Sequence, residues 1–198
     1  MKRIAVFASG NGSNAENIVR YFVDGNLARV EAIYCNNPKA QVIRRATNLK
    51  VPLILFDREK FYATDFVLRD LQSRNIDLIV LAGFLWLMPG TITKTFAQKI
   101  VNIHPALLPS YGGKGMFGDN VHEAVIEAGE KESGITIHLI DELYDHGTIL
   151  LQEKYILSPD ETPDSLATKI HQLEYEHYPK VIEKLLTEDN GQVQDTEA

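Results

Sequence analysis

Asn102 and His104 stand two apart near the middle of the chain, and Pro105 follows at once. If they lie on a strand, residues two apart point to the same face. The proline holds His104 extended. A neutral amide and an imidazole aimed into one crevice can stabilise a developing oxyanion and move a proton. A strand-end histidine also serves simply to hydrogen-bond the start of a loop, and fold position alone does not choose between the two. Asp145 lies further on, in Asp141-Glu142-Leu143-Tyr144-Asp145-His146-Gly147, a run with three carboxylates between two apolar stretches. A carboxylate beside His104 would favour the protonated imidazole and fix its orientation. Taken by itself, such a cluster also reads as a solvated hairpin turn.

A second feature with chemical potential comes early, in Ser9-Gly10-Asn11-Gly12-Ser13-Asn14. Between a strand and a helix, backbone N–H groups backed by the helix dipole attract a phosphate, and glycines let the main chain approach it. Gly10, Gly12 and Ala15 also match a dinucleotide fingerprint loosely. That reading needs an acidic residue at the end of the second strand, where Tyr34-Cys35-Asn36-Asn37-Pro38 offers none. Asn11, Ser13 and Asn14 add donors that suit a phosphate monoester. A third possibility is that Ser13 or Asn14 merely caps the helix.

The elements that must position these residues alternate. Apolar runs at 4–8, 30–35, 53–56, 78–82 and 99–103 read as strands, and 14–23, 40–49, 61–74 and 92–98 as helices between them. The run Leu78-Ile79-Val80-Leu81-Ala82 suits the buried centre of a parallel sheet. Residues 104–119 are rich in glycine and proline and predict a loop, with a short helix at 121–127. Segments 134–140 and 148–156 alternate apolar and polar, as antiparallel strands do. A long helix closes the domain at 162–186, with Pro179 as a kink. The expected fold is α/β, a Rossmann-like doubly wound parallel sheet with a mixed, antiparallel C-terminal part. Residues 1–186 form one domain, and 187–198 form an acidic, frayed tail.

Length and composition narrow the function. The 198 residues suffice for a core without a disulfide or metal, and the single cysteine, Cys35, fits a reducing compartment. The apolar run after the basic start at 1–3 is too short for a signal peptide, and a membrane span is not expected. A net charge of −7 argues against a nucleic-acid binder. The chain reads as cytoplasmic.

The motifs Ser9 to Asn14, Leu81-Ala82-Gly83-Phe84, Asn102-Ile103-His104-Pro105-Ala106-Leu107-Leu108-Pro109 and Asp141-Glu142 to Gly147 occur in one order. Together they closely resemble the folate-dependent glycinamide ribonucleotide formyltransferases, from about residue 2 to 186. The resemblance implies small-molecule substrates, 10-formyltetrahydrofolate as co-substrate, no metal, and a role in purine synthesis. It makes Asn102, His104 and Asp145 the catalytic trio. Asn11, Gly12, Ser13 and Asn14 would hold the substrate phosphate, and Glu174 would contact the ribonucleotide. Leu85, Trp86, Leu87 and Met88, with Asn102, Ile140, Asp141, Glu142, Leu143, Tyr144 and Asp145, would line the folate pocket. The chain departs from the family in Leu85-Trp86-Leu87-Met88, in a longer loop at 111–120, and in lacking a matched folate-contacting arginine around 58–62. The resemblance says nothing of oligomeric state.

Two relatives with other outcomes share these motifs, a formyltetrahydrofolate hydrolase and a methionyl-tRNA formyltransferase. The first carries an extra N-terminal domain and the second a basic C-terminal one, neither expected here. A non-catalytic nucleotide-binding module would have no use for the trio.

Overall fold

A computed structural model of the chain describes residues 1–191, with side chains to residue 188. The elements run β1 (Lys2–Phe7), α1 (Ser13–Phe22), β2 (Ala28–Cys35), α2 (Val42–Leu49), β3 (Leu53–Leu55), a π-helical turn (Glu59–Ala63), α3 (Phe66–Ser73), β4 (Leu78–Leu81), α4 (Gly90–Thr95), β5 (Ile100–His104), α5 (Asp119–Glu127), β6 (Glu132–Leu139), β7 (Ile149–Ile156) and α6 (Pro163–Gly191). They build one seven-stranded sheet in the order β3-β2-β1-β4-β5-β6-β7. The five strands from β3 to β5 are parallel, and β6 and β7 add on antiparallel. The expected mixed α/β sheet is what forms.

Strand parity decides which residues meet which layer. Ile4, Val6 and Ala8 with Val80, Val101 and Ile103 pack under α1, α2, α5 and α6. Ala5, Phe7, Ile79 and Ile100 pack under α3, α4 and the π turn. The chain leaves β1 outward through β2 and β3, then returns across β1 to begin β4. The C-terminal ends of β1 and β4 therefore flank the switch point where open α/β sheets bind ligands.

Three expectations change. The helix expected at 61–74 is two pieces, because Thr64 is extended between the π turn and α3. Strand β5 takes in His104. Helix α6 continues past 186 to Gly191, while 192–198 lie outside the described residues. Pro179 sits inside α6. It has no N–H for the Tyr175 carbonyl four residues back. Asn17 of α1 donates its Nδ2 to that carbonyl at 3.0 Å instead, so the break in the helical ladder becomes a tie between α6 and α1. One residue earlier, the buried Tyr178 hydroxyl lies 3.0 Å from both the Leu81 and Val101 carbonyls, anchoring α6 beneath the ends of β4 and β5.

Candidate active site

The loops after β1, β4 and β5 open into a cleft of about 800 Å³. Ser9 joins the first two: its N–H donates to the Gly83 carbonyl and its Oγ accepts from the Leu85 N–H, both at 3.0 Å. Thr136 of β6 braces the third. Its hydroxyl donates to Ala106 O at 2.6 Å and accepts from Leu108 N at 2.9 Å. Asn102 and His104 share one face of β5, as their spacing requires.

His104 is 3 % exposed. Its Nε2–H donates to the Tyr111 carbonyl at 2.8 Å, and its Nδ1 lies 3.4 Å from Oδ1 of Asp145. The other Asp145 oxygen accepts from the Gly113 N–H at 2.8 Å. Burial pushes the Asp145 carboxyl up, but the His104 imidazole and the Gly113 amide outweigh burial and hold it below the usual carboxylate range. Asp145 adopts φ +49°, a left-handed conformation that aspartate tolerates better than most residues. Gly112 packs closely beside it, where a Cβ would stand 2.7 Å from Leu108 Cδ2 and 3.3 Å from Asp145 Cβ. The solvated-turn alternative therefore holds for part of the 141–147 loop only, because Asp145 turns inward.

Asn102 faces His138 directly across β5 and β6. Its Nδ2 donates to His138 Nε2 at 3.0 Å, which requires that nitrogen to be unprotonated. Burial pushes the His138 imidazole down, in keeping with a neutral ring. The second Nδ2 hydrogen of Asn102 remains for another acceptor. The sequence reading did not assign His138. Its one signal was parity with Thr136, two residues earlier on the same face of β6.

At the other end, Asn11, Gly12, Ser13 and Asn14 all line the cleft. Gly12 precedes α1 with φ +77°, and no side chain caps the helix. The capping alternative is thus not what forms. A Cβ at Gly12 would sit 2.4 Å from Val42 Cγ2, so α2 can lie against the loop only because residue 12 has none. Asn14 Nδ2 donates to Glu174 Oε2 at 2.8 Å. Burial raises the Glu174 carboxyl above its ordinary range, against the opposing pull of Asn14, His171 and His104.

The residues expected around a folate divide. Leu85, Trp86, Asn102, Tyr144 and Asp145 line the cleft. Met88 is 4 % exposed and packs with Ile79, Ile92 and Ile100. Leu87 is held by its backbone, its N–H donating to Tyr144 Oη at 3.1 Å and its carbonyl accepting from Tyr62 at 2.9 Å. Ile140 continues the strand, donating its N–H to Ile100 O at 3.0 Å and packing on the core. Asp141 bonds His146 and the Leu143 N–H, Glu142 pairs with Lys94 at 3.5 Å, and Leu143 is 62 % exposed. None of these six is among the residues that line the cleft. Trp86 does both, backing onto Phe56 and Phe61 while facing the cavity. Arg58, unassigned from sequence, also lines the cleft, with its guanidinium 4.7 Å from the Trp86 ring centre.

The cleft thus offers uncapped helix N–H groups at one end, an aromatic wall with a cation at the other, and an amide, imidazole and carboxylate between. Among the described residues there is no group of three or more His, Cys, Asp or Glu that could hold a metal ion, and no helix is long and apolar enough to cross a membrane.

A family model described as formyl transferase matches residues 2–182. The phosphoribosylglycinamide formyltransferase of Bacillus subtilis (strain 168) is 36% identical over 195 residues, covering 96% of this chain and 97% of the relative. A chloroplastic phosphoribosylglycinamide formyltransferase of Vigna unguiculata is 38% identical over 192 residues, 94% of this chain and 62% of its own length. The crystal structure of glycinamide ribonucleotide transformylase 1 from Geobacillus kaustophilus superposes with a TM-score of 0.85 at 41% identity, over 94% of this chain and 99% of that one.

Proposed function

The chain belongs to the formyl transferase family, and on that footing we propose that it formylates the amine of glycinamide ribonucleotide. The formyl donor is 10-formyltetrahydrofolate. The products are formylglycinamide ribonucleotide and tetrahydrofolate, in de novo purine biosynthesis. What supports this most is one convergence: Asn102, His104 and Asp145 open on a cleft that the uncapped start of α1 also lines.

In this reading the substrate phosphate lies on Asn11, Gly12, Ser13 and Asn14, where backbone donors and the helix dipole favour an anion. Glu174, steadied by Asn14, takes the ribosyl part. Phe84, Trp86, Tyr62 and Tyr144 suit the flat ring of the donor, and Arg58 suits an anionic group near it. The amine is the nucleophile. As the formyl oxygen gains charge, the free Asn102 N–H and His104 Nε2–H donate to it, Nε2 exchanging the Tyr111 carbonyl for the new acceptor. The bond from amine nitrogen to formyl carbon forms and the bond from that carbon to N10 breaks. The proton lost by the amine ends on N10, with Asp145 and water as carriers.

The test is to supply 10-formyltetrahydrofolate with and without glycinamide ribonucleotide. Folate turnover that requires the ribonucleotide supports the transfer, and equal turnover without it makes the protein a hydrolase. A cytoplasmic location rests on the free, buried thiol of Cys35. Because the Vigna relative is chloroplastic by name, cell fractionation decides that point.

A further inference from the structure

We propose that Arg45 is a positioning residue for the acceptor's phosphate, acting through Asn11 and Glu16 without touching the substrate. The inference rests on the phosphate reading of the 11–14 loop and goes beyond it to say what gives that loop its shape and charge.

Arg45 belongs to α2, yet its hydrogen bonds go to the loop and to α1. Its Nε donates to the Asn11 carbonyl at 2.9 Å and its Nη2 to Asn11 Oδ1 at 2.7 Å, a two-pronged grip on one residue. Its Nη1 pairs with Glu16. The start of α2 completes the backing. Gln41 Oε1 accepts from Asn11 Nδ2 at 3.3 Å, the Val42 N–H donates to Gly10 O at 3.2 Å, and Val42 fills the space over Gly12. The fork of Arg45 fixes both the carbonyl and the amide of Asn11, so the next N–H groups meet a phosphate without reorganising.

Charge adds a second reason. Glu16 lies in the first turn of α1, where a carboxylate suits the dipole but repels an incoming phosphate. Arg20, at 2.7 Å, and Arg45 both pair with it and hold its carboxyl below the usual range. Two guanidinium groups against one carboxylate leave a surplus positive charge beside the loop. Without Arg45 that surplus is gone and Asn11 loses its grip.

The experiment compares glycinamide ribonucleotide with its dephosphorylated ribonucleoside, for the wild type, Arg45→Met and the pair Glu16→Gln with Arg45→Met. Arg45→Met is expected to raise KM for the ribonucleotide about tenfold, the worth of one charge-assisted hydrogen bond, with kcat and the donor KM held. On the ribonucleoside the same variant should match the wild type, and the double variant should recover part of the ribonucleotide loss. Equal losses on both acceptors would make Arg45 merely structural, and an unchanged ribonucleotide KM would also overturn the proposal. A wild type indifferent to the phosphate would remove the phosphate reading and this inference together. Should Arg45→Met fail to fold, Arg45→Lys carries the same comparison. It keeps the charge but loses the fork, and about a threefold rise is expected.

Discussion

Asp145 stands 3.4 Å from Nδ1 of His104 while the opposite ring nitrogen donates to the Tyr111 carbonyl at 2.8 Å. Both nitrogens of one buried ring thus face acceptors, an arrangement that suits a ring able to donate from either side. Replacing His104 by alanine removes the donor proposed for the formyl oxygen but leaves the 11–14 loop and Trp86 in place. Turnover should fall by on the order of 10² or more, with ribonucleotide affinity by calorimetry unchanged. Unaltered turnover would take His104 out of the mechanism.

Asp145→Asn should be costly because its amide cannot serve both contacts while His104 Nδ1 carries a proton. With the amide oxygen toward His104, its NH₂ would face the Gly113 N–H. The pH dependence has a definite sign. The native Asp145 carboxyl sits below its unfolded value, so its stabilisation is full above the ordinary carboxylate pKa of about 3.9 and is lost as pH falls through the lower native value. Urea unfolding at a series of pH values should show the wild type's advantage over Asp145→Asn intact near neutrality and shrinking in acid. An advantage that holds constant through the acid range would mean that Asp145 acts by shape alone.

Glu174 runs the other way. Its native carboxyl is raised by burial, so its contribution to stability is greatest below the unfolded value of about 4.3 and is lost as pH rises through the native one. Glu174→Gln keeps an oxygen for Asn14 Nδ2 and removes the cost of burying a charge. The variant should melt higher than the wild type at neutral pH, converge with it in acid, and bind the ribonucleotide less tightly. A variant that melts lower at neutral pH would contradict this account of Glu174.

Trp86 is the chain's only tryptophan and faces the cleft beneath Arg58. A folate analogue should quench its emission saturably, after correction for the analogue's own absorbance, while glycinamide ribonucleotide alone leaves it nearly constant. If calorimetry detects folate binding and corrected emission does not move, the aromatic wall is not where the donor lies.

Much of this site could be read before the structure, and the reasons differ by residue. Asn102 and His104 were legible because a strand's period of two fixes their common face whatever surrounds it. His138 was not, since its meaning comes from the register that sets it opposite Asn102. In Leu85-Trp86-Leu87-Met88 four apolar residues carry no phase, so packing alone decided that Trp86 faces the cavity and Met88 the core. Arg58 lay in the 58–62 stretch that offered no secure match to the family's folate-contacting arginine, since only the fold brings its guanidinium over Trp86. The extended Thr64 separates a π turn just after Arg58 from α3. The end of α6 was hidden for a different reason: past Leu186 the residues lack apolar spacing but have no proline to stop a helix.

The sheet order has a consequence for which molecules can react. The 9–14 loop proposed to hold the phosphate follows β1, and Asn102 and His104 close β5, with β4 alone between them. Two inter-strand spacings come to roughly 10 Å, a length set by backbone hydrogen bonding and not by any side chain. The sheet is in effect a ruler laid against the acceptor. A molecule anchored by its phosphate presents its amine to Asn102 and His104 only if its own span matches that length. On the proposed reading, the strand pairing would itself discriminate against shorter and longer amines.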